Sequence, residues 1–222
     1  MQTPTDHGLG RETVHAWLSA RSIARGLPQP CPDRGGYRVD TNAEREVVRW
    51  VFPAPAPGLV QLGNEIVEPL HFLKCCCAAE RLRALLPARW HVDGQSWFMQ
   101  GGGPHDQRPL PAGYSLETVR DGAVIAVRVM SDGANVAASG FAAETADAFI
   151  YDRIQTAPDH RRRGLGQAVM AALQRAKSSR DAPELLVASS DGRALYTRLG
   201  WRILSPYSTA SIRERPGAGL VL

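Results

Sequence analysis

The run Arg161-Arg162-Arg163-Gly164-Leu165-Gly166 lies between an extended apolar segment and a helix-forming one, and this order constrains the chain more than any other feature. Upstream, residues 148–156 are rich in β-branched and aromatic side chains, the composition of a strand. Downstream, residues 165–177 place apolar side chains at helical spacing with no breaker after Gly166. A strand, a glycine turn and a helix are therefore predicted. At such a turn the first helical amides have no intrahelical partner and the helix dipole adds partial positive charge, so an anion such as a pyrophosphate is stabilised there. Gly164 and Gly166 leave those amides uncovered, and one or two of the three arginines add charge facing the anion. A solvated basic turn at a glycine-tightened helix start would carry the same residues.

Two other phosphate loops fit less well. A P-loop needs Lys-Ser/Thr after its last glycine, where this chain has Gln167-Ala168, and a dinucleotide fingerprint needs a third glycine where Val169 stands. A second segment is informative beside the first. Residues 184–189 read as a strand and residues 191–201 as a short helix, with Asp191 as N-cap and Gly200 as the stop.

The spacing Arg161-x-x-Gly164-x-Gly166 after a strand ending Ile154-Gln155-Thr156, followed by Leu195-Tyr196 and Gly200-Trp201, resembles the acetyl-CoA signature of the GNAT N-acetyltransferase family over residues 114–213. Ser189, Gly192 and Trp201 stand where that family often has Asn, Ala and Phe. The resemblance implies a mixed α/β (α+β) fold with a largely antiparallel central sheet flanked by helices. It also implies acetyl-CoA as co-substrate, no metal, and direct attack by a primary amine of a small molecule or peptide on the thioester within a ternary complex. Under it, the main chain of Ile154, Gln155 and Thr156 binds the pantetheine arm and thioester. The segment Arg161, Arg162, Arg163, Gly164, Leu165, Gly166 and Gln167 binds the pyrophosphate, and Ser189 lies beside the cofactor arm. Tyr196 is the candidate general acid, since a phenol is protonated at neutral pH yet close enough in pKa to a thiol to hand over a proton. Asp152 is the candidate base, with Glu144 and Asp147 behind it, and an amine that is already neutral needs none of them. A non-catalytic CoA-binding regulatory module is the alternative.

The remaining features bound the setting. A chain of 222 residues with 44% apolar composition can build a real core as one large or two small domains. No apolar run approaches 18 residues and the start lacks the layout of a signal peptide, so a cytoplasmic protein without membrane contact is expected. Cys31 and the run Cys75-Cys76-Cys77 have no metal-ligand spacing and are expected as buried, inert thiols. The net charge of +4 is mild and concentrated at Arg161–Arg163, where an anionic cofactor already accounts for it, so no nucleic-acid partner is invoked. A homodimer is compatible with the sequence.

Along the chain, residues 11–25 form an amphipathic helix through Val14, Trp17, Leu18 and Ile23, followed by strands at 35–40 and 46–52 and a stop at Pro53–Gly58. A helix over residues 72–86 and a hairpin at 90–99 are predicted next, then a loop from Gly101 to about Gly113. That loop divides an N-terminal subdomain, residues 1–112, from a GNAT domain, residues 113–222. The first part is read as a substrate-side extension, with a diverged copy of the same fold as the alternative. Trp90, Trp97, Phe98 and Tyr114 could wall a pocket for an aromatic amine, though such residues are more often core. His91 and His105 have no evident partner in the sequence and are read as solvated or structural.

Overall fold

A computed structural model describes residues 8–101, 103, 109–132 and 135–213. The chain opens with α1 (Arg11–Ala24), β1 (Cys31–Asp33), β2 (Gly36–Ala43), β3 (Glu46–Phe52), α2 (Pro57–Glu65), β4 (His71–Cys75), α3 (Ala79–Leu85), β5 (His91–Val92) and β6 (Ser96–Gln100). It continues with β7 (Tyr114–Asp121), β8 (Val124–Ser131), β9 (Val136–Glu144), β10 (Phe149–Thr156), α4 (Leu165–Arg175), β11 (Glu184–Ala188), α5 (Ser190–Arg198) and β12 (Arg202–Ser211).

One sheet runs β1-β2-β3-β4-β12-β6-β11-β10-β9-β8-β7, with β5 on β12. Two neighbouring pairs are parallel, β3 with β4 and β10 with β11, and a helix joins the strands of each, as parallel crossovers require. The other pairings are antiparallel, so the sheet is mixed and largely antiparallel, as the family resemblance implies. At the centre the two halves exchange strands. β12 from the end of the chain pairs with β4, and β6 from the first half pairs with β11.

The strand period decides which side chains meet which helix. On β10, Phe149 and Tyr151 pack in the core beneath α4, while Ile150 packs in the one beneath α1. Helix α1 buries Val14, Trp17 and Leu18, three positions on one helical face, and so lies over strands of the second half. A third core joins α2 and α3 to β3, β4 and β12.

Several expectations for the first half are corrected. Residues 72–86 are not one helix but β4, a turn and α3. Phe72–Cys77 is a short apolar run between β3 and β12, and periodicity cannot tell such a run from a buried helix. Helix α2 begins inside the proline-rich stop, where Pro57 occupies the first turn and needs no amide partner there. β5 and β6 do not form a hairpin, because each pairs with β12 instead. Cys75, Cys76 and Cys77 are buried and burial pushes the Cys76 thiol well above its ordinary pKa, whereas Cys31 is exposed. Among the described residues, no helix is long and apolar enough to cross a membrane.

Candidate functional site

The site is made by a divergence of two strands. β10 and β11 share only the pairs Phe149↔Glu184 and Ile150↔Leu185 before separating. A bulge between Asp152 and Gln155, with Arg153 at φ +53°, bends β10 away, as bulges do. Beyond Ile150 the two strands no longer pair, and a gap opens between them that a ligand can enter. A cavity of about 1570 Å³ fills the wedge.

Ile154, Gln155 and Thr156 line this cavity from the open edge. Gly164 sits at φ +80° as the N-cap of α4, a left-handed conformation that glycine adopts without strain. No side chain caps that end and its first turn holds no acidic residue. The first helical bond is Ala168 N–H to Gly164 O, at 3.1 Å, so the amides of Leu165, Gly166 and Gln167 precede the ladder. Arg161, Arg162, Gly164, Leu165, Gly166 and Gln167 all border the cavity. Arg163 does not, which narrows the arginine run: its Nη1 donates to Tyr114 Oη at 3.2 Å, and Tyr114 in turn meets His160 Nδ1 at 2.8 Å.

On the opposite wall, Ser189 is the N-cap of α5, its Oγ accepting from Gly192 N–H at 3.3 Å, a role the sequence reading gave to Asp191. Tyr196 borders the cavity about two turns further on, packed against Trp201 with ring centroids 5.9 Å apart. Burial raises its phenol to about 12, which keeps it protonated at neutral pH.

Asp152 borders the cavity too, but its surroundings are not those of a base. It shares the α1-facing parity of Ile150, and there Arg25 donates to both oxygens, Nε at 2.6 Å and Nη2 at 2.8 Å. Arg153 lies 3.3 Å and Arg21 3.6 Å away. Burial alone would raise the carboxyl's pKa, but the Arg25 hydrogen bond and the charges of Arg21, Arg25 and Arg153 outweigh it, leaving the pKa below the usual range. A carboxylate so held is a weak proton acceptor and an effective anchor.

Glu144 and Asp147 lie outside the cavity. Glu144 accepts from the amides of Ser178 and Ser179 and from Arg120, so it ties the end of α4 to the sheet. Trp90, Trp97, Phe98 and Tyr114 do not line the cavity either; Phe98 is core and Trp90 donates to Gly63 O at 2.9 Å. His91 sits beside Asp93 and Arg213, and His105 lies outside the described residues.

The residues that sequence reasoning missed are Trp17, Arg21 and Arg25, which close the far end of the cavity from α1. They stand at i, i+4 and i+8, one stripe of a helix, with the Arg21 guanidinium 5.3 Å from the Trp17 ring. That spacing was the available signal.

The first half repeats the strand–helix–strand unit without this opening. β3 and β4 stay paired over five positions, from Val48↔His71 to Phe52↔Cys75. At the start of α2, proline supplies no amide, and the Arg34 carbonyl lies directly against Gly58. Among the described residues, no group of three or more His, Cys, Asp or Glu side chains could hold a metal ion.

A mixed sheet whose parallel pair splays at a bulge, facing an uncapped helix start, is the architecture of an acetyltransferase of the GNAT type. Residues 121–203 match the family described as acetyltransferase (GNAT) domain, and this segment is such a domain. Three solved structures share the fold over most of the chain. A GCN5-related N-acetyltransferase from Kribbella flavida is 13% identical with a TM-score of 0.64, covering 95% of this chain and 98% of its own. One from Sphaerobacter thermophilus is 15% identical with a TM-score of 0.56, covering 99% and 96%. A tandem GNAT protein from the clavulanic acid biosynthesis pathway is 11% identical with a TM-score of 0.54, covering 81% and 79%. No curated protein matches the sequence.

Proposed function

We propose that the protein is an N-acetyltransferase that moves the acetyl group of acetyl-CoA to a primary amine of a small molecule or peptide. The observation that carries this reading is the wedge between β10 and β11, because it joins an open strand edge to the uncapped start of α4 in one cavity. In this reading the amides of Leu165, Gly166 and Gln167, with Arg161 and Arg162, bind the pyrophosphate. The main chain of Ile154, Gln155 and Thr156 aligns the pantetheine arm as an added strand would be aligned.

Acetyl-CoA supplies an activated thioester. A neutral amine held beside it forms the new N–C bond as the C–S bond breaks. The nitrogen gives up its extra proton to water, and Tyr196 donates its phenolic proton to the departing sulfur and regains one from solvent. Asp152 holds Arg21 and Arg25 in place and takes no proton. The first half of the chain contributes α1 as the wall on the acceptor side, and Ser189 borders the cofactor arm.

Calorimetric titration with CoA, together with thiol release from acetyl-CoA over a panel of amines, tests the proposal. Binding with turnover is expected. Binding without turnover of any amine would instead indicate a CoA-sensing module, and no binding would refute both readings.

A further inference from the structure

The cavity does not end at the thioester. It continues along β10 toward α1, and the four strand steps from Asp152 to Thr156 span at most about 13 Å. At that end Arg21, Arg25 and Arg153 face the single carboxylate of Asp152, three positive charges against one negative, a net of +2. Arg21 is held rigidly, 15% exposed and lying against the Trp17 ring. Arg21 Nη1 is buried with no hydrogen bond among the described residues, and Arg153 Nε, though 3.3 Å from Asp152 Oδ2, makes no aligned hydrogen bond either. Behind them lie Arg49 and Lys74 around Glu46, whose single carboxylate is already matched by Arg49, so the next layer adds no net counter-charge.

Burying cations with incomplete partners is costly unless something anionic completes them. Such an environment also disfavours a positively charged ligand and holds an amine in its neutral, nucleophilic form. We infer that the acceptor is an amine that also carries a carboxylate, and that Arg21 and Arg25 receive that carboxylate beside Trp17. This rests on the acetyl-transfer reading of the same cavity and names its substrate class. A planar guanidinium pair matches a carboxylate in shape as well as charge. The carboxylate thus supplies the orientation that brings the amine to the thioester.

The test uses the full-length protein saturated with CoA, titrated calorimetrically with N-acetylglycine, N-acetylphenylalanine and N-acetylglutamate and with the carboxamide of each. At least one acid is expected to bind tenfold or more tightly than its amide, with kcat/KM for the parent amino acids over their amides showing the same preference. Arg21→Gln should weaken the acid tenfold or more and leave the amide unchanged. Because Arg21 is largely buried, Arg25→Gln at the more open rim serves as a second variant, with a loss of several-fold expected. Amides that bind as well as the acids, failure of both classes to bind a CoA-loaded protein, or equal losses for acid and amide in both variants would overturn the inference alone. Failure of CoA itself to bind would take down the acetyl-transfer reading with it.

Discussion

Replacing Gly140 with alanine should loosen the wedge from behind. Gly140 lies on β9 opposite the β10 bulge, and a methyl group built there would sit 2.7 Å from Val169 Cγ1 and 3.4 Å from Leu173 Cδ1, overlapping the end of Ile154. Carbon atoms pack at about 3.5–4.0 Å, so the Val169 contact alone asks α4 to retreat by about 0.8 Å. Val169 is β-branched and cannot turn aside within a helix. Ile154 can, but only by leaving its rotamer for the cavity, at about 0.5–1.5 kcal/mol. Together these give a loss of about 1–3 kcal/mol, typical of one methyl forced into a packed layer. For a chain of this size that is a melting-temperature drop of roughly 3–10 °C. Calorimetric melting measures the first consequence. CoA titration measures the second, an affinity about tenfold weaker because the α4 amides and the β10 edge no longer keep their spacing. A melting temperature within 1 °C of the parent, with unchanged CoA affinity, would refute the reasoning that a bare glycine sets the distance between α4 and the sheet.

Tyr196→Phe keeps the ring packed on Trp201 and should lower turnover by about 10²-fold while leaving CoA affinity within twofold; an unchanged rate removes the acid assignment. Asp152→Asn should act on stability first, costing about 2–4 kcal/mol because Arg21 and Arg25 lose their counter-charge. A collapse in kcat with an unaltered melting curve would restore Asp152 as a base. Lys74 is the pH-sensitive element: burial, then repulsion from Arg49, lowers it to about 7 despite Glu46. Between pH 7 and its unfolded value of about 10.4 the unfolded chain holds a proton that folded Lys74 has shed, so this residue's contribution to stability rises with pH across that window and is constant below it. Lys74→Met, which leaves Glu46 paired with Arg49 at 2.7 Å, should therefore raise the urea midpoint most at and below pH 7, and parallel midpoint–pH curves for the two proteins would contradict this.

The second half was legible because its elements obey single periods. β8 alternates between buried and more exposed positions, the β7–β8 turn falls at Asp121-Gly122, and α4 carries one apolar stripe. The cofactor side of the wedge follows from that local order, since Thr156, Gly164 and Gly166 are neighbours in sequence. The acceptor side does not. Asp152 meets Arg25 across 127 positions of chain, and the i, i+4, i+8 spacing of Trp17, Arg21 and Arg25, the one local signal, is shared with many solvated helix faces. β4 escaped for a related reason: a strand covered on both faces has lost the alternation that identifies strands. The exchange of β6 and β12 is likewise a property of the whole topology, not of any segment.

That exchange has a consequence for how the polypeptide can be divided. A cut after Gln100 would strip the C-terminal fragment of the ribbon that seals β11, and the N-terminal fragment of the one that seals β4, exposing a long sticky margin on each. The two pieces should be insoluble apart and should reconstitute when co-expressed, in the manner of an obligate heterodimer joined by a tether. The lobe without an open groove is thus retained as a clasp: deleting it would unravel the lobe that has one.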